Sequence, residues 1–237
     1  MPINLPDNRL FPEFSLPDLS GREISVKNYS GKRLIIFIWA SWWACREQLP
    51  VWQRFYESEI AKEKEIDLIS VAIDVQGPKV VKPYVDKVNP SFVTVVDEEN
   101  ALGRSCVFKT VPNGYLVEPD MTVSYSNLGE FDIRKPDIVN EIQEWIKLPR
   151  DSNNQFDFSI REAMDEKAEA FFHSGLRLYR EGRQKEALLA WSKAVQIDPG
   201  NYIIRKQIWA ITHPDKFYST VVDFDWQRQQ MTTWFWR

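Results

Sequence analysis

The run Leu34-Ile35-Ile36-Phe37-Ile38 is apolar at every position, and it constrains the fold more than any other stretch. A strand that is apolar on both faces must be covered on both, as in parallel sheets flanked by helices. The residues after it alternate in kind. Cys45 to Ile60 carries Leu49, Trp52, Phe55 and Tyr56 at helical spacing, and Ile66 to Ile73 reads as a second strand. Lys79 to Val88 reads as a helix, Phe92 to Val96 as a strand and Asn100 to Cys106 as a short helix. Gly114 to Val117 and Thr122 to Ser126 are strands joined by the turn Glu118-Pro119-Asp120-Met121, and Ile133 to Ile146 closes the unit as a helix. This order predicts an α/β domain over residues 1–147, a mixed central sheet with helices on both faces.

The remainder has a different character. Residues 148–157 are polar and turn-rich and read as a linker. From Phe158 to residue 237 the chain reads as a small all-α unit. Helices are expected over 163–181 and 184–197, parted by Gly182, and over 201–212 after the stop Asp198-Pro199-Gly200-Asn201. Residues 213–237 read as aromatic and irregular, and too apolar to hang free of the body. The chain has 237 residues and 10 tryptophans; Trp39, Trp42, Trp43 and Trp52 crowd one segment, and Trp226, Trp234 and Trp236 crowd the end.

Several classes of function are excluded. The net charge is −4 with both signs dispersed and no basic stripe, which argues against nucleic acid. The longest apolar stretch, Leu34 to Ala40, is too short to span a membrane. Met1 to Asp7 lacks the basic and apolar regions of a signal peptide, so the chain as it stands reads as cytoplasmic, although a chain with its leader removed would look the same. The two histidines, His173 and His213, both fall in the C-terminal unit; no Cys/His spacing suits a metal, and no glycine-rich loop suits a phosphate. No cofactor and no metal is expected. Asp74 and Asp97-Glu98-Glu99 read as solvated turn residues. Thiol chemistry is what remains, through Cys45 and Cys106.

Pro12 to Arg22, Tyr29-Ser30-Gly31-Lys32 and Phe37-Ile38-Trp39-Ala40-Ser41-Trp42 resemble the entry of the TlpA/ResA-like redoxins, thioredoxin-fold thiol–disulfide oxidoreductases related to the AhpC/TSA peroxiredoxins. Thr110-Val111-Pro112-Asn113-Gly114-Tyr115-Leu116-Val117 resembles the segment holding that family's cis-proline. The resemblance spans about residues 10–147. It implies a thioredoxin-like fold, a cis bond before Pro112 facing the cysteines, and a protein thiol or disulfide as partner. The family pattern W-A-S/T-W-C-x-x-C-R-x-E-x-P places one cysteine at a helix N-terminus, where unpaired N–H groups and the helix dipole stabilise thiolate, and a second cysteine that resolves the mixed disulfide.

This chain departs from the pattern at that point. Between Ser41 and Arg46 it reads Trp42-Trp43-Ala44-Cys45, one residue short. Cys45-Arg46-Glu47-Gln48-Leu49-Pro50 matches the second cysteine and its sequel, so Trp42 or Trp43 stands where the attacking cysteine belongs. A tryptophan there also raises the question of an opal codon read elsewhere as selenocysteine. Three roles are open to Cys45: a buried structural thiol, a lone peroxidatic or sensing thiol with Arg46 favouring thiolate, or a disulfide partner of Cys106. Asn113-Gly114 after Pro112 differs from the family's usual continuation.

Phe171, Gly175, Gly182, Ala187, Trp191, Ala194 and Pro199 fall in the register of a single tetratricopeptide repeat, which the third helix would cap. One such repeat cannot bury its own face, so docking on the first domain, a partner protein or a homodimer is expected. Two functions stay open. One is a divergent thiol oxidoreductase or redox sensor using Cys45. The other is a non-catalytic redoxin-fold interaction module using the repeat. Whether the chain is an enzyme turns on that choice.

Overall fold

A computed structural model describes residues 10–148, 165–219 and 221–234, with the side chains of 232–234 left aside. The expected linker beyond Leu148, Phe158 and Trp236 lie outside the described residues. A short antiparallel pair, β1 (Ser15–Pro17) and β2 (Glu23–Ser25), leads into β3 (Arg33–Trp39), whose seven residues are all buried. β3 is the centre of a five-stranded sheet of order β5-β4-β3-β6-β7. β4 (Ile66–Ala72) and β5 (Val93–Val96) run parallel to β3, while β6 (Asn113–Val117) and β7 (Val123–Leu128) run antiparallel. This mixed sheet with flanking helices is the expected fold class.

The helices are α1 (Leu49–Phe55), α2 (Pro78–Val88), α3 (Ala101–Ser105) and α4 (Pro136–Lys147). The helix expected over Cys45–Ile60 is divided into a 3₁₀ turn at Ala44–Gln48, α1, and a π turn at Tyr56–Ile60. Pro50 near the start of α1 explains the first break, because it has no N–H for the α-helical bond. Trp52, fully buried in α1, packs against Phe37 of β3 and against Phe131. Arg33, 4% exposed, ties the end of α4 to the sheet: it donates to the Trp145 and Leu148 carbonyls and pairs with Glu118.

The C-terminal region is all-helical: α5 (Glu166–Arg180), α6 (Gln184–Ile197), α7 (Tyr202–Thr212), α8 (Pro214–Phe217) and α9 (Phe224–Trp234). The tail expected to be irregular is therefore mostly helix. Pro214 opens α8, and the Asp223 carboxylate accepts from the Trp226 N–H at the start of α9. Trp226 packs on Trp209, His213 and Phe217, which accounts for part of the tryptophan excess. Among the described residues no helix is long and apolar enough to cross a membrane.

The α5–α6 hairpin closes around Trp191, which is fully buried and donates to the Phe172 carbonyl at 3.0 Å. A Cβ at Gly175 would sit 2.3 Å from the Trp191 ring nitrogen. Gly175→Ala is therefore expected to lower stability by about 1–3 kcal/mol despite alanine's better helix propensity. The check is urea unfolding followed by tryptophan fluorescence; an unchanged or higher midpoint would show that the ring can yield.

Candidate functional site

In open α/β sheets, ligands collect beyond the carboxyl ends of the strands. Here β3 ends at Trp39 and the chain turns through Ala40-Ser41-Trp42. Trp43, extended at φ −127° and ψ 159°, forms the N-terminal boundary of the 3₁₀ turn. The Ile73-Asp74 step after β4 and the loop Lys109–Pro112 before β6 complete the rim.

Cys45 is 2% exposed. Its Sγ accepts from the Ala40 N–H at 3.3 Å and faces the Ala40 carbonyl, as donor, at 3.6 Å. Burial pushes the thiol pKa up to about 12, and the nearby Asp74 carboxylate adds to the rise. Helix-end placement favours thiolate in principle, but desolvation wins here.

Arg46 does not turn toward the sulfur. The residue is 5% exposed, and its Nη1 donates to the Ser41 carbonyl (2.7 Å), the Tyr84 hydroxyl (2.8 Å) and the Phe217 carbonyl (2.6 Å), while Nη2 donates to the Ser219 carbonyl (3.3 Å). The guanidinium also lies 4.5 Å from the Tyr84 ring centre. It thus clamps the strand end to the segment after α8.

Trp42 is buried, whereas Trp43 is partly exposed and faces the C-terminal unit. The Lys206 ammonium of α7 lies 2.9 Å from the Trp43 ring centre, and Phe224 of α9 meets the indole edge-on at 5.1 Å. The same helix reaches the rest of the rim. Gln207 donates to the Ile73 carbonyl at 2.7 Å, and the Ile203 N–H donates to the Lys109 carbonyl at 3.3 Å. Lys109 also pairs with Asp198. The Val111–Pro112 bond is cis, and the Pro112 carbonyl accepts from Gly129. Helix α7 therefore lies across the carboxyl ends of β3 and β4 and reaches the proline loop. Cys106 and Cys45 are both free thiols, and burial pushes Cys106 up to about 12 as well.

Two carboxylates expected in solvent are buried. Asp74, 0% exposed, accepts from the Ser41 N–H at 3.0 Å and from the Ser41 hydroxyl at 2.5 Å. Burial raises it to about 6, with the Ser41 bonds and Arg46 opposing. Asp97 accepts from the Ala101 and Leu102 N–H groups at the head of α3. Asp74 follows three buried residues of β4 and its exit, a position at the sheet's carboxyl edge that marks it in the sequence. Lys206 escaped the sequence reading altogether. Its one signal is the pair Arg205-Lys206 inside a largely apolar helix. Burial pulls Lys206 down to about 7, with Arg205 adding repulsion and Cys45 opposing it. The indole face returns roughly 0.5–2 kcal/mol to the ammonium, which leaves it below an ordinary lysine. His173 of α5 sits 3.0 Å from Arg104 of α3, on the side of the hairpin that meets the α/β domain.

The profile of the AhpC/TSA family matches residues 8–126. Sporulation thiol-disulfide oxidoreductase A of Bacillus subtilis is 23% identical over 133 residues, 56% of this chain and 76% of that protein. Thiol-disulfide oxidoreductase ResA of Bacillus anthracis is 25% identical over 120 residues, 50% of this chain and 68% of that protein. Among solved structures, a Chlorobium tepidum protein named for thiol:disulfide interchange, DsbE, superposes with a TM-score of 0.51 at 21% identity, covering 59% of this chain and 96% of its own. The thioredoxin domain of a Bacteroides vulgatus thiol-disulfide oxidoreductase gives 0.50 at 19% identity, covering 61% and 100%. These likenesses establish the thioredoxin-like fold; the C-terminal helices lie beyond the family match.

The buried groups at the rim make stability depend on pH. Asp74 has a folded pKa above its unfolded value, so its contribution is fully present below about pH 4 and is lost as pH rises through about 6. Lys206 has a folded value below its unfolded one, so its penalty is full below about pH 7 and fades as pH rises above that. Measured against Asp74→Asn, wild type is expected to lose at most about 3 kcal/mol of relative stability between pH 4 and 6. The test is urea midpoints at stepped pH; a difference that stays flat over that interval contradicts a buried, titrating Asp74.

Proposed function

Because the chain belongs to the AhpC/TSA family, we propose that it retains the redoxin domain as a protein-binding module and has given up thiol–disulfide turnover. The observation that carries this reading is the state of Cys45. Its sulfur is buried and held against the Ala40 peptide, with its pKa at about 12. Trp43 stands at the head of the helical segment, where an attacking sulfur would need to be. A nucleophile must be both thiolate and reachable, and Cys45 is neither.

The chain's own helices occupy the rim, so a partner is expected to meet the outer surface of the docked unit. The α5–α6 hairpin, with its likeness to a tetratricopeptide repeat, is the surface we assign to that contact; Leu189 on α6 is 61% exposed there. Two free thiols fit a reducing, cytoplasmic setting.

The oxidoreductase or sensor reading makes the opposite demand, a reactive Cys45. Iodoacetamide applied to the native chain at neutral pH decides between them. The expected result is no label on Cys45 until denaturant is added, together with no acceleration of insulin disulfide reduction by dithiothreitol. Fast native labelling, with an apparent pKa below that of free cysteine, would overturn the non-catalytic reading and establish a thiol site.

A further inference from the structure

Helix α6 carries one row of side chains that its own packing does not use. Lys185, Leu189, Lys193 and Ile197 recur every four residues, so they lie along one side of the helix in a ridge about 18 Å long. All four are exposed, Leu189 at 61% and Ile197 at 38%. The buried residues of the same helix, Ala187, Ala190, Trp191, Ala194 and Val195, point the other way. Lys82, Arg177, Arg183 and Arg228 each pair with a carboxylate three or four residues away, as exposed helical cations do. In the α6 row the positions four residues beyond each lysine hold Leu189 and Ile197 instead. Among the described residues neither Lys185 nor Lys193 pairs with a carboxylate. Glu186, the acid next to Lys185, is taken by Arg183. The Lys193 ammonium rests over the Phe171 ring of α5, 5.5 Å from its centre. The charges of α5 that face the α/β domain, by contrast, are matched: Glu169 meets Arg104, and Arg180 meets Glu98 and Glu99.

From this alternation of cation and apolar side chain we infer that the α6 row docks an acidic amphipathic segment of another protein. Its carboxylates would stand opposite Lys185 and Lys193, and its apolar side chains opposite Leu189 and Ile197. Leucine and isoleucine supply affinity by leaving water, and the ammonium groups select the partner by sign. The inference rests on the reading of the chain as a protein-binding module and names the class of partner.

Two other occupants fit the row less well. In a two-fold pairing of the row with itself, the antiparallel register that joins Leu189 to Leu189 also sets Lys185 against Lys193, like charge on like charge. A nucleic acid would use the ammonium groups but would leave the leucine and isoleucine between them without a partner.

The test uses the intact chain and two dye-labelled peptides of about four helical turns. One is built from Leu, Glu and Ala, the other has Lys in place of each Glu, and binding is read by fluorescence anisotropy. The acidic peptide is expected to bind at least about tenfold more tightly than its basic counterpart at low ionic strength, and to lose most of that margin at about 1 M salt. Lys193→Glu should weaken the acidic peptide at least about fivefold, and Leu189→Ser at least about tenfold. Both side chains are exposed, so the circular dichroism spectrum should not change. Equal binding of the two peptides, binding of neither, or indifference to both substitutions overturns the proposal. A dimer in sedimentation that Leu189→Ser dissolves also overturns it, and gives the row to a second copy. These results strike only the class of partner; the reading beneath it falls separately, to native labelling of Cys45.

Discussion

The Arg46 guanidinium is the interaction on which the arrangement of this protein depends. It leaves the first turn of the helical segment, crosses beneath the strand end, and gathers the carbonyls of Ser41, Phe217 and Ser219 around one buried cation. A buried arginine without these acceptors would be strongly destabilising, since the charge cannot be shed within the accessible pH range. Two of the acceptors belong to the segment after α7. Arg46 of the redoxin domain therefore takes two of its acceptors from the C-terminal region, and the two regions share one polar core. Gln207 on Ile73 and Tyr218 on Gln76 extend that core along the rim.

Docking changes what the rim can do. In a redoxin the end of β3 and the head of the next helix must be open to a partner's sulfur. Here Lys206 and Phe224 hold Trp43 from two sides, and α7 spans from Trp43 to the proline loop. Cys45 keeps its place at the start of the helical segment, but the environment there acts on it in the opposite sense. Desolvation outweighs the helix end, so the thiol stays protonated. The Trp43 indole supplies the surface on which the Lys206 amine and Phe224 rest, so the closure of the rim is built on that side chain.

Much of the fold was legible in the sequence for a simple reason: β3 is apolar at every position because it is central, and central strands announce themselves. The order of strands and helices could likewise be read directly. The site's polar groups could not. Asp74 and Asp97 look like turn residues because they follow strands, yet each accepts backbone or hydroxyl donors in the interior. Arg46 resembles a partner for the adjacent thiol because the two are neighbours in sequence; its acceptors are instead the Ser41 carbonyl, the Tyr84 hydroxyl and two carbonyls more than a hundred residues away. The helices of the tail were obscured because their tryptophans and aspartates are poor guides to periodicity, and their stability comes from packing Trp226 against Trp209, His213 and Phe217.

The closure is tested most directly by amide hydrogen exchange at Ala40 and Ser41 in the intact chain. Their N–H groups donate to the Cys45 sulfur and the Asp74 carboxylate, at the centre of the covered rim. If α7 to α9 and the redoxin domain form one cooperative core, these amides exchange only with global unfolding, with the same free energy and denaturant dependence as Ile36 and Phe37 in β3. Exchange of Ala40 and Ser41 through a separate, low-energy opening, while β3 remains protected, would contradict a sealed site.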